Sequence, residues 1–193
     1  MIKRLDEMTD EELWQLFPIV LSEYQPIWKD RYYEEKKVIF EAIGTHNIVR
    51  IHHIGSTAVP GLLAKPTIDI LVEIEDATDT SSLISAMQEC GYRYLKQPEN
   101  PPPKMMFIKG YTPEGFAGQV FHVHVRYQGD WDEIRFRDYL IDHPDVAREY
   151  GELKKRLKDL HEHDRDAYTS GKTKFIRRVC ELSRKGLKNS QDS

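Results

Sequence analysis

An aspartate in the middle of a strongly apolar strand constrains this chain more than any other feature. In TIDILVEI, residues 67–74, side chains alternate between the two faces of an extended segment. Ile68, Ile70, Val72 and Ile74 make one face wholly apolar, and that face must sit on helices. Thr67, Asp69, Leu71 and Glu73 make the other. A carboxylate such as Asp69 is costly there unless it is paired or holds a metal. Glu73 lies near the end of the strand, where solvated glutamates are common, and is expected to face water.

A second strand, VFHVHVR at 120–126, repeats the pattern. His122, His124 and Arg126 share one face, opposite Phe121, Val123 and Val125. If the two strands are neighbours, Asp69 and the histidines converge on one cleft. Two imidazoles pointing the same way suit a metal, although half-exposed histidines are also ordinary in sheets. His52 and His53 are adjacent and so cannot both face the cleft. In the loop 55–66 that precedes the first of these strands, Gly55 lets backbone approach a ligand closely, and Ser56 with its neighbouring N–H groups can hold an anion. A helix beginning after this loop would strengthen such a site, and Lys65 adds positive charge. The plainer alternatives are a simple Gly-Ser turn and a structural Asp69 that caps a turn or pairs with an arginine.

The rest of the chain reads as an α+β core over 1–130 followed by a helical region over 131–188. Thr9 and Glu12 form a capping box for a short helix that Pro18 ends. Helices are expected over 27–44 and 81–90, with strands near 48–54, 92–95, 104–109 and 119–127. KQPENPPPK, residues 96–104, is too rich in proline for regular structure and suggests a mobile flap. GYTPEG reads as a hairpin turn. Three helices are expected near 131–142, 144–160 and 164–186, with a disordered tail over 189–193. A net charge of -4 argues against general nucleic-acid binding. Two cysteines without a CxxC fit free thiols in a reducing compartment. No apolar leader or membrane-length segment is evident, so a cytoplasmic location is expected.

HIGSTAVPGLLAKPTIDILVEI, FHVHVR, FRDYLIDHPDVAREYGELKKRL and DRDAYTSGKTKFI occur in this order. Together they resemble the GrpB family, which is assigned to the nucleotidyltransferase superfamily. The resemblance implies a nucleotidyltransferase-like mixed sheet flanked by helices, with a C-terminal helical cap. It assigns Gly55 and Ser56 to a phosphate loop and Asp69 to the first metal carboxylate. The second carboxylate position is Leu71, and His122 and His124 stand where a third carboxylate is expected. Imidazole suits Mn²⁺ or a later transition metal better than Mg²⁺. Arg137, Tyr139, Lys154, Tyr168, Lys172 and Lys174 fall in the matched helical motifs, and of these Arg137 and Lys172 are the expected phosphate ligands.

Three functions follow as expectations. The first is a metal-dependent nucleotidyltransferase, with Asp69 catalytic and metal-binding, and with a nucleoside triphosphate held by Gly55, Ser56, Lys65, Arg137 and Lys172. Its acceptor would be a small molecule or a protein. The second is a nucleotide- or anion-binding module of the same fold without catalysis. The third is a small-molecule enzyme built on a divalent metal held by Asp69, His122 and His124.

Overall fold

Ile68, Ile70, Val72 and Ile74 are all fully buried beneath two helices. The computed structural model describes residues 3–191, with side chains through Gly186. After α1 (Asp10–Leu16), the covering helices are α2 (Ile27–Ile43) and α3 (Thr80–Glu89). Trp28, Tyr32, Ile39 and Ile43 recur at helical spacing along α2 and enter the same core as Leu83 and Met87 of α3. The capping box of Thr9 and Glu12 is formed, and α2 ends at Gly44 with φ 85°. Asp79 caps α3 by accepting from the N–H groups of Ser81 and Ser82.

The sheet is mixed and five-stranded, comprising β1 (Ile48–Ile54), β2 (Thr67–Ile74), β3 (Arg93–Lys96), β4 (Met105–Thr112) and β5 (Gly115–Tyr127) in the order β1-β2-β5-β4-β3. Only β2 and β5 run parallel, and their register sets Asp69 beside His122 and Leu71 beside His124. Helices α4 (Asp132–Asp142), α5 (Pro144–His161), α6 (Arg165–Ser170) and α7 (Thr173–Gln191) follow. Leu140, Tyr150 and Phe175 from this group pack with Val59 and Leu62 of the loop between β1 and β2. The helical region is therefore fastened to the loop that carries Gly55.

Several expectations change. Glu73 is not solvated but fully buried. The chain after β5 folds back over it, so its carboxylate pairs with Arg50 (2.6 Å) and accepts from Gly129 N and Trp131 Nε1, both at 2.9 Å. The loop after β1 starts no long helix; Ser56–Ala58 make one 3-10 turn, and Pro60 lacks the N–H that continuation would use. The expected helix over 164–186 is two helices, since Gly171 closes α6 and packs where a Cβ would meet Leu157 Cδ2 at 2.5 Å. The hairpin of β4 and β5 is longer than GYTPEG allowed, turning at Pro113 and Glu114. Residues 97–104 form turns only, tied by Gln97 N to Lys104 O and by Tyr127 N to Pro102 O. Of the tail 189–193, α7 continues to Gln191, and the last two residues lie outside the described range. Both cysteines are free, and no described helix is long and apolar enough to cross a membrane.

Candidate functional site

The second face of the sheet and helices α4 to α7 line a cavity of about 600 Å³. Gly55, Ser56, Lys65, Asp69, His122, His124 and Lys172 all reach it. Arg137 does not. Its guanidinium donates to the His53 carbonyl (2.8 Å) and pairs with Asp138 (2.7 Å), so it serves the edge strand β1.

Asp69 is held from two sides. Gly55 (φ 70°) crosses directly over it, so close that a Cβ on the glycine would overlap the carboxylate. On the neighbouring strand, His122 Nδ1 lies 3.3 Å from Asp69 Oδ1. The other ring nitrogen, His122 Nε2, is 2.8 Å from the Tyr111 hydroxyl. With an ionised Asp69 the proton belongs on Nδ1, leaving Nε2 to accept from Tyr111. Burial pushes the Asp69 pKa up, but the His122 contact, both imidazoles and Lys65 outweigh it, and the carboxyl ends below its ordinary value. His124 is pulled down by burial, against the attraction of Asp69, and its Nδ1 is buried with no hydrogen-bond partner among the described residues.

Opposite these groups stand four basic side chains, Lys65, Lys154, Arg165 and Lys172. All four lie over aromatic faces: Lys65 and Lys172 over Tyr168, at 5.6 and 4.6 Å, Lys154 over Tyr150, at 4.6 Å, and Arg165 over Tyr111, at 6.0 Å. Lys154 also donates to Ser56 Oγ (3.0 Å) and to the Leu63 carbonyl. Burial and then repulsion from Arg165 and Lys172 bring Lys65 down to about 7. Burial with repulsion from Lys172 and Lys65 does the same to Lys154, also to about 7. Lys172 falls to about 8 through burial and Arg165, despite the pull of Asp69. The Tyr168 hydroxyl is a second buried polar group with no partner among the described residues.

A metal cage is not assembled here. Among the described residues no three His, Cys, Asp or Glu side chains are grouped to hold an ion. His122 already has a neighbour at each ring nitrogen, and Leu71, fully buried, offers no donor. What the cavity does present is four basic side chains beside Asp69, with two further carboxylates on its wall, Asp132 and Glu133, that pair with Arg184 and Arg126.

The family model described as GrpB protein matches residues 18–182. The chain belongs to the GrpB family. It is 39% identical over 155 residues to a UPF0157 protein of Pseudomonas aeruginosa, covering 80% of this chain and 63% of that longer protein. The glutamate-rich protein GrpB of Alkalihalophilus pseudofirmus is 36% identical over 162 residues, covering 82% of this chain and 91% of that one. A crystal structure of GrpB from Enterococcus faecalis superposes with a TM-score of 0.75 at 32% identity, over 87% of this chain and 99% of that one.

In this GrpB-family chain the sequence does not single out Arg165, which lines the cavity, or Tyr111, which adjoins it through His122. Arg165 begins α6 and stands 6.0 Å from the Tyr111 ring; it lies in DRDAYTSGK, where the basic residues were the available signal. Tyr111 was assigned to a turn. A bulge at Gly110 (φ 93°), packed against the Gln119 carbonyl, carries β4 onward and aims Tyr111 at His122.

Proposed function

We propose that this protein binds a phosphorylated small molecule, with phosphate held among Lys65, Lys154, Arg165 and Lys172. The observation that carries this reading is the gathering of these four basic groups on one cavity. Partly buried cations that repel one another cost free energy, and a phosphate dianion relieves that cost while offering acceptors to every donor. His124 and Tyr168 also line this cavity. A nucleotide is the ligand class that fits the size of the cavity together with its aromatic walls.

Nucleotidyl transfer from a nucleoside triphosphate to a small-molecule or protein acceptor is a second reading. It is favoured by the close seating of Asp69 beneath Gly55, an arrangement in keeping with the Gly-Ser and carboxylate pattern of nucleotidyltransferases. A metal held by this chain's side chains alone does not fit the site, so the cationic wall is the main source of positive charge for phosphate in either reading.

Titration calorimetry with phosphate, pyrophosphate, AMP and ATP, with and without Mg²⁺ or Mn²⁺, tests the proposal. Binding without metal is expected, and Lys172→Ala should weaken it by about tenfold or more, the loss of a charge-assisted contact. Failure of every phosphate compound to bind, or wild-type affinity in Lys172→Ala, overturns it. Product analysis with labelled ATP separates transfer from binding alone.

A further inference from the structure

A smaller cavity of about 190 Å³ adjoins the first, and Lys65, Thr67 and Arg165 line both. Its chemistry differs. Phe17, Tyr111 and Phe116 form a cluster of rings on its wall, with centroids 4.9 Å apart for Phe17 and Tyr111, 5.0 Å for Phe17 and Phe116, and 5.6 Å for Tyr111 and Phe116. The remaining walls are mostly proline and aliphatic side chains. Phe116 is 46% exposed, so part of its ring is open to the cavity mouth. The cavity is smaller than the roughly 300–1,000 Å³ of complete small-molecule sites, so it suits one part of a ligand rather than the whole.

We infer that this second cavity receives an aromatic ring of the same ligand whose phosphate lies among the lysines, so that the site selects a phosphate ester bearing a planar ring. The inference rests on the phosphate-binding reading above. Lys65 and Arg165 stand at the junction, where they hold the phosphate while its substituent extends into the apolar side. There the ring meets aromatic edges and faces, a contact worth more than its buried area alone. An aliphatic or purely polar substituent gains much less. Tyr111 borders this cavity with its ring and hydrogen-bonds His122 with its hydroxyl, so a bound ring lies against the group that links both halves of the site.

The test compares two matched pairs by calorimetry, phenyl phosphate against methyl phosphate and AMP against ribose 5-phosphate, with inorganic phosphate as the common reference. In at least one pair the aromatic member is expected to bind about tenfold tighter, the scale of one well-packed ring. Phe116→Ala, at a half-exposed position, should erase that preference and leave inorganic phosphate affinity unchanged. Val20→Trp, which fills the same cavity from its rim, should do the same. Equal affinities within both pairs, while phosphate still binds, overturn the inference and spare the phosphate site. A preference that survives both variants overturns the assignment to this cavity. No binding of any phosphate compound overturns both readings together.

Discussion

Gly55 lies across the Asp69 side chain so tightly that a Cβ on the glycine would meet Asp69 Cγ at 3.0 Å and overlap its outer oxygen. The glycine also adopts φ 70° and ψ −173°, a backbone region open essentially to glycine alone. Gly55→Ala therefore carries a backbone cost of about 1–3 kcal/mol and a steric one that moves Asp69. Gly61 also has a positive φ, 75°, but open space around it, so Gly61→Ala is a control for alanine at positive φ without the steric contact. Urea denaturation should show Gly55→Ala the less stable of the two, and only Gly55→Ala should disturb phosphate affinity. Equal behaviour of the two variants would mean that the contact with Asp69 has no energetic weight.

The alternation of TIDILVEI and VFHVHVR was enough to place Asp69, His122 and His124 on one face, because period-two patterning survives any choice of neighbouring strands. It could not assign Glu73, whose burial depends on a return of the chain through Gly129 and Trp131 that no local pattern encodes. Lys65 and Lys172 were legible as charges beside motifs. Lys154 was legible as a basic residue in a matched motif; the convergence of all three with Arg165 was not, since it arises from α5 and α6 packing over the sheet's second face. Arg137 shows the converse error: a basic residue in a matched motif was given to phosphate, yet it holds a backbone carbonyl of β1. Tyr111 was hidden by a bulge at Gly110, which resets the register that alternation relies on.

Glu73 should be a stability residue rather than a ligand residue. It is fully buried and accepts from Arg50, Gly129 and Trp131 at once. Donors of this kind hold its carboxyl below the ordinary range even though burial opposes them. Glu73→Gln leaves Arg50 without its counter-charge and is expected to cost about 1.5–3 kcal/mol, the range for hydrogen bonds to a charged group. Urea unfolding followed by tryptophan fluorescence reads this, since Trp131 is one of its partners. Phosphate affinity of the folded variant should match wild type; a large loss would place Glu73 in the site after all.

The lysines make stability and affinity depend on pH in opposite senses. Their folded pKa values, about 7 for Lys65 and Lys154 and about 8 for Lys172, lie below the ordinary 10.5. From about pH 7 to 10.5 the unfolded chain binds more protons, so their contribution to stability rises with pH across that window. Below it they are charged in both states and their cost is present in full. Lys65→Met should therefore stabilise the free protein at about pH 6 and lose that advantage by about pH 10. A phosphate ligand favours the charged lysines, so its affinity should fall as pH rises through about 7 to 8, with protons taken up on binding. Denaturation midpoints for both proteins, and calorimetry in buffers of different ionisation enthalpy, give the two readouts. Parallel stability profiles for wild type and Lys65→Met would show that Lys65 keeps its ordinary pKa.

Asp69→Asn separates binding by fixed cations from binding through a metal. Asp69 shares its cavity with Lys65, Lys154, Arg165 and Lys172 and, unlike the cavity carboxylates Asp132 and Glu133, is not paired with an arginine among the described residues; it attracts Lys65 and Lys172 electrostatically. Where the lysines bind the anion directly, removing the carboxylate charge removes a repulsion, and metal-free affinity for phosphate or ATP should rise, by about three- to tenfold for a screened charge at this range. Asparagine keeps the shape of the side chain and an acceptor toward His122, so the fold should be unaffected. Where Asp69 instead binds a metal that accompanies the nucleotide, the same substitution should lower ATP affinity in Mg²⁺ or Mn²⁺ and leave the metal-free value unchanged. Calorimetry of both proteins with and without metal distinguishes these results in one series. Higher metal-free affinity with no consumption of labelled ATP in either protein would identify a binding site whose charge balance Asp69 tunes. Turnover in wild type that vanishes in Asp69→Asn would instead give the carboxylate a role in transfer.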